Sequence, residues 1–265
     1  GRLMRTEEIE LPRAVMIHDF GVTASRIVFL DLPVAFDVDL ARVGRSVPFR
    51  WSPDLGARVG VMPRTGTGAD IRWLPVDPCF VFHVLNCFDD GDRVVVDVVR
   101  YDRAFERGPD GPASSASPQL ARWTIDVDLG RVDDRPIDDT PVEFPRIDDT
   151  VAGQPHRFGY FAAVSNGPDG PGFPALVQYD LERQRAVRFE PGAGCSVSEP
   201  VFVRASDGHA EDEGWVLSLV YDAARDASDL VILDGTSFAG PPVAVVQLPA
   251  RVPFGFHGSW VPTGG

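Results

Sequence analysis

The sequence contains no lysine; all 25 of its basic residues are arginine. A Schiff-base mechanism and a P-loop phosphate site both need a lysine amine, so neither can operate from this chain. Cysteine is scarce, with only Cys79, Cys87 and Cys195 and no Cys-x-x-Cys pair. An odd count in a chain of 265 residues reads as free thiols in a reducing compartment. A cytoplasmic location is therefore expected, and a zinc site built on thiolates is not. No apolar run reaches the roughly 18 residues needed to span a membrane. Positive charge is in deficit: the formal net charge is −14. That argues against a nucleic-acid partner, whose phosphates demand a basic face, and against electrostatic attachment to anionic lipid. Peripheral membrane contact through an apolar patch stays open. Helical periodicity is nearly missing too, with only 37–43 (DVDLARV) suited to a short helix.

What the chain does have is a succession of strand patterns with turn punctuation. Trp123, Ile125, Val127 and Leu129 alternate with Thr124, Asp126 and Asp128, the period of two of a half-buried strand. The run RVVVDVVRY (93–101) suits a strand covered on both faces, and Asp89-Asp90-Gly91-Asp92 before it suits a hairpin turn. Further strands are expected at 175–181, 185–189, 200–204, 215–222, 229–234 and 243–248. Polar, turn-rich connections are expected at 108–119 and 166–172. The 26 glycines and 24 prolines are dispersed rather than clustered, as many short strands and tight turns require. The fold class read from this is all-β, as a sandwich, barrel or propeller; the pattern by itself does not choose among them.

Three of the five histidines share a setting. His18 (VMIHDF), His83 (CFVFHVLN) and His257 (FGFHGSW) each lie among apolar or aromatic residues at the edge of a strand-like segment. One such histidine is ordinarily a buried ring bonded to a backbone carbonyl. Three of them also suit metal ligation, because an apolar pocket keeps imidazole neutral. His156 follows a proline, and His209 lies in an acidic, glycine-flanked loop. Glu143 (VEFPRI) and Glu199 (VSEPVFV) interrupt apolar stretches. They read either as solvated strand ends or as carboxylates that accept the free N–H of a metal-bound imidazole. HExxH, GxSxG, GxGxxG and an EF-hand loop are all absent.

Taken in order, several segments resemble the carotenoid cleavage oxygenases. They are MIHDFGVTASRIVFLDLPVAFD, FHVLNCFDDGDRVVVDVVRYD, VEFPRIDDTVAGQPHRFGY, SEPVFV, EDEGWVLSLVYD, SDLVILD and VPFGFHGSWVP, and they cover 8–262. The resemblance implies a seven-bladed β-propeller of four-stranded antiparallel blades, with ferrous iron, Fe(2+), on its axis. His18, His83 and His257 match three of the family's four histidine ligands, Glu143 and Glu199 match glutamates that orient them, and His156 matches a histidine that does not bind metal. The implied reaction is oxidative scission of a conjugated C=C bond, by dioxygen, in an apolar carotenoid, apocarotenoid or stilbene-like substrate to carbonyl products. Phe20, Phe80, Phe256 and Trp260 lie near the matched ligands and either line an apolar tunnel or pack as ordinary core aromatics. Only 17 residues precede His18 and none is histidine, so the fourth ligand is expected upstream of residue 1. The chain (1–265) then reads as a single domain, the C-terminal part of a propeller oxygenase without its early blades. Two alternatives stay open: an isomerase of the same family, and a metal-free propeller scaffold that binds an apolar ligand or partner.

Overall fold

The computed structural model describes residues 2–108, 111–113, 117–167 and 170–262. The expected connections at 108–119 and 166–172 lie partly outside these residues. The chain forms two compact units, Gly1–Pro136 and Ile137–Gly265.

In the first unit, one four-stranded antiparallel sheet runs Phe20–Val22, Arg26–Asp31, Ala57–Pro63, Arg72–Val76 in spatial order. The second runs Arg131–Asp138, Gln119–Asp126, Arg93–Tyr101, Phe80–Asp90. Strand Arg93–Tyr101 is covered on both faces as its sequence predicts, with Val94, Val96 and Val98 buried on one face and Val95, Asp97 and Val99 on the other. One charge is buried among them. Asp97 is 0% exposed and takes a two-pronged contact from Arg122, Nε to Oδ1 at 2.7 Å and an NH2 nitrogen to Oδ2 at 2.8 Å. Such a fork satisfies both carboxylate oxygens, the condition for keeping a charge inside a sheet.

The strand expected through Leu129 stops at Asp126. The Asp126 carboxylate accepts the Leu129 N–H at 2.9 Å, and Gly130 follows at φ 65°. This local turn outcompetes the hydrophobic alternation and leaves Leu129 exposed. The one α-helix among the described residues is Val38–Arg42, capped by the Asp37 carboxylate on the amides of Asp39 and Leu40. No helix among them is long and apolar enough to cross a membrane.

Gly21 governs how the two sheets of this unit approach. A Cβ built there would lie 2.9 Å from both Cβ and Sγ of Cys87. The missing side chain lets Phe20–Val22 lie directly on Phe80–Asp90. We therefore expect Gly21→Ala to destabilise the protein by about 1–3 kcal/mol through overpacking, read as a lower denaturant midpoint. An unchanged midpoint would show that the contact yields freely.

In the second unit, one sheet runs Val142–Arg146, Phe158–Gly167, Gly170–Asp180, Arg185–Phe189. The other runs Cys195–Val197, Gly214–Asp222, Ala227–Asp234, Ala244–Gln247, with Val201–Arg204 also paired to Gly214–Asp222. Between these sheets lies a core that includes Tyr160, stacked on Phe202 at 5.0 Å, with Val216 and Leu233. After Ala244–Gln247 the described chain has neither helix nor strand. The all-β expectation holds, and the four-stranded antiparallel sheets are the units of which propeller blades are made.

Candidate functional site

In the first unit, His18 and Asp19 act on a strand that departs from regular pairing. Phe80–Asp90 pairs with Arg93–Tyr101 but shifts register between Val81 and Val84 and again between Val84 and Asn86. Such bulges take backbone groups out of the ladder. Two side chains collect them. Nδ1 of His18 lies 2.9 Å from the Phe82 carbonyl oxygen, and Oδ2 of Asp19 accepts the Val84 N–H at 2.8 Å. The other Asp19 oxygen accepts the Phe20 N–H at 2.7 Å. His83 is the residue between the two anchored positions. The His-Asp pair thus fastens its own segment to the backbone on both sides of His83.

This arrangement also fixes chemistry. A carbonyl only accepts, so Nδ1 of His18 carries the proton and Nε2 presents a lone pair. The His18 and His83 rings lie 5.0 Å apart between centroids, at 88°. Two imidazoles bound about 90° apart at roughly 2.0–2.1 Å from one divalent ion would have a similar separation, on the order of 4.5–5 Å.

The second unit holds His257 by a different device. Nδ1 of His257 lies 3.0 Å from Oε1 of Glu199, while Oε2 accepts the Gly258 N–H at 2.8 Å. Glu199 is 6% exposed, and its carboxylate is acceptor-only, so the His257 proton it takes is on Nδ1, which in a neutral ring leaves the lone pair on Nε2. Phe144 meets the His257 ring edge-on, at 6.0 Å and 78°. It does so from a left-handed backbone conformation, φ 53°, inside a register shift between Glu143 and Arg146. Glu143 is buried, and its Oε2 accepts the Phe144 N–H at 2.6 Å. Sequence reading singles out Glu143 and Glu199 but misses Phe144 and Arg146. The only available signal was their membership of the same VEFPRI segment.

A cavity of about 800 Å³ in this unit is lined by Phe144, Phe173, Leu217, Leu230, Phe254, Phe256, His257 and Trp260, among others. Phe256 and Trp260 thus stand on a cavity wall. Tyr221 is on it too and donates to Asp226 at 3.0 Å, a bond that holds its phenol above the usual pKa and so neutral. In the first unit Phe20 is half exposed and stacks on Phe29 at 6.3 Å. Phe80 is 0% exposed, edge-on to Phe82 and Phe105. For Phe80 this packing agrees with the core-aromatic alternative kept open beside the lining role. His156 is half-buried, and His209 is exposed in its loop.

His18 and His257 therefore fit a metal in donor type, as neutral imidazoles with the proton-bearing nitrogen anchored. His83 fits by its place beside His18. Among the described residues, no group of three or more His, Cys, Asp or Glu side chains is gathered to hold a metal ion. Each unit thus has its own candidate group: the His18–His83 pair in the first, and His257 with Glu199 in the second.

The profile of the family described as RPE65, retinal pigment epithelial membrane protein, matches residues 1–262. The carotenoid cleavage oxygenase of Mycobacterium tuberculosis is 34% identical over 311 residues, covering 99% of this chain and 61% of that protein. The crystal structure of Pseudomonas brassicacearum lignostilbene dioxygenase superposes with a TM-score of 0.89 at 32% identity, covering 99% of this chain and 58% of that one. Cobalt-substituted Synechocystis ACO superposes with a TM-score of 0.85 at 30% identity, covering 94% and 53%. The chain thus spans between 53% and 61% of the length of these relatives.

Proposed function

Because this chain belongs to the RPE65/carotenoid cleavage oxygenase family, we propose that it serves the oxidative cleavage of a conjugated C=C bond in an apolar, elongated substrate, with His18, His83 and His257 as ligands of ferrous iron. The observation that carries this reading is the His18–His83 pair, 5.0 Å between ring centres, with the Nδ1 proton of His18 committed to the Phe82 carbonyl. Two imidazoles held side by side this way are chemically suited to a divalent metal. A ferrous ion held by these residues would activate dioxygen, whose two oxygen atoms would end as the two carbonyl oxygens once the double bond is cut.

The protein's own residues hold, orient and exclude. His18 and Asp19 fix the His83 segment through Phe82 and Val84. Glu199 fixes His257 and, as a carboxylate on Nδ1–H, makes Nε2 a stronger donor. The apolar cavity bounded by Phe144, Phe173, Phe256 and Trp260 suits a polyene or stilbene, both of which the names of the relatives attest for those proteins. Its apolar walls would shed water from the substrate, while Glu199, His257 and Tyr221 supply polar groups on the same lining.

The metal-free scaffold keeps one observation in its favour, since no complete three-ligand group is gathered among the described residues. Labelled dioxygen decides. Iron-loaded protein incubated with a stilbene or an apocarotenoid is expected to place ¹⁸O in the carbonyl products, and His83→Ala is expected to give none. Geometric isomers without scission would point to the isomerase. Unchanged substrate with metal-loaded protein would favour the scaffold.

A further inference from the structure

We propose that Arg146 is a positioning residue for His257, clamping the segment that carries it. The functional meaning of this clamp rests on reading His257 as a metal ligand; the clamp itself does not. The segment after Ala244–Gln247 has no helix or strand to fix it. What fixes it around His257 is a closed circuit of polar contacts. Glu199 takes the His257 ring with one oxygen and the Gly258 N–H with the other. One Arg146 guanidinium nitrogen then donates both to that second Glu199 oxygen, at 3.3 Å, and to the Gly258 carbonyl, at 2.9 Å. The N–H and the C=O of Gly258 are therefore both held, one by the carboxylate and the other by the cation that pairs with it.

Burial makes the circuit consequential. The side chains of Arg146 and Glu199 are 18% and 5% exposed, so neither charge is well served by water. Asp149 lies 3.7 Å from the far side of the guanidinium but is itself largely exposed, and it does not touch Gly258 or Glu199 in this circuit. The bulge in Val142–Arg146 is the local cause. With Phe144 at φ 53°, the register slips between Glu143 and Arg146. The same short stretch then presents Phe144 to the His257 ring and Arg146 to the peptide that follows it. Strained backbone of this kind is expected where a site must be held in one arrangement.

A merely structural arginine would lower stability when removed and leave the state of the imidazole alone. A positioning arginine would not, because a free imidazole prefers its proton on Nε2, whereas the Glu199 contact holds it on Nδ1. The test uses the full, metal-free chain with ¹⁵N-labelled histidine and compares Arg146→Met, Arg146→Lys and Arg204→Met. The last breaks another arginine–carboxylate pair of the same unit, Arg204 with Asp148. In the wild type, His257 is expected as the Nδ1–H form with a protected Gly258 amide. In Arg146→Met the ring is expected to become a mixture of tautomers, and the Gly258 amide to exchange about tenfold faster or more. Arg146→Lys is expected to recover part of both, and Arg204→Met to change neither. If Arg146→Met does not fold, as judged by circular dichroism, Arg146→Gln, which keeps one donor, carries the comparison and is expected to fall between wild type and the Met result. A folded variant that retains the Nδ1–H form and the protected amide overturns the proposal. So does Arg204→Met if it produces the same two changes. Since no metal is present, a failure of the protein to bind iron leaves these readouts untouched.

Discussion

Glu199→Ala is expected to cost about 3–5 kcal/mol of stability in the second unit, the range for removing one partner of a buried ion pair. The size follows from what the carboxylate holds. It accepts from the His257 ring, the Gly258 N–H and Arg146, and it is 6% exposed. Alanine removes three acceptor contacts and leaves the guanidinium of Arg146 with only the Gly258 carbonyl and the outlying Asp149. Urea unfolding of the two proteins reads the difference. Glu199→Gln separates shape from charge: the amide fills the same space but is a poorer acceptor for the imidazole N–H. Its expected stability loss is smaller, while metal affinity measured by competition titration is expected to fall about 10–100-fold. Equal metal affinity in wild type and Glu199→Gln would mean that His257 does not depend on this carboxylate.

Asp19→Ala is expected to loosen the first half of the site. It withdraws acceptors from the Phe20 N–H at 2.7 Å and from the Val84 N–H at 2.8 Å. Val84 lies opposite Val98 between two register shifts, and its amide is taken by Asp19. Hydrogen bonds to a charged group contribute about 1.5–3 kcal/mol each where they are buried, but the Phe20 contact is exposed and the Val84 contact part-buried, so water offsets part of the loss. A loss of about 1–3 kcal/mol is expected in denaturant unfolding. The His18–His83 contact is expected to open with it, because Asp19 is the neighbour that ties the His18 segment to Val84, leaving the Phe82 carbonyl and ring contacts to hold it. Asp19→Asn, which keeps one good acceptor, should lose about half as much. A loss under about 0.5 kcal/mol for Asp19→Ala would show that the bulged strand holds its shape unaided.

These two carboxylates mark what could and could not be read from the letters. The strands were legible wherever side-chain chemistry is local: RVVVDVVRY is buried on both faces, and the DDGD turn closes its hairpin. The strand drawn through Leu129 failed because an Asp126 side chain satisfied a backbone amide before the alternation ended. Glu199 was legible as an odd charge in an apolar run. Its partner, 58 residues away, was suggested only by the resemblance. The role of Asp19, next to His18, could not be read from the sequence, since it depends on a bulge in another strand. Phe144 and Arg146 were hidden for the same reason: a left-handed phenylalanine is not written in the residue types around it. Phe80 could not be placed from the sequence, because nearness to His83 says nothing about which face of the strand a residue occupies.

The central claim is that His18, His83 and His257 serve one ferrous ion. Anaerobic loading with ferrous salt, followed by metal analysis of the wild type and of His18→Ala, His83→Ala, His257→Ala and His209→Ala, tests it most directly. Wild type and His209→Ala, whose imidazole is exposed in a surface loop, are expected to bind iron alike. The other three, each folded by circular dichroism, are expected to bind it about tenfold more weakly or worse. Wild-type iron content in any one of those three would contradict the account.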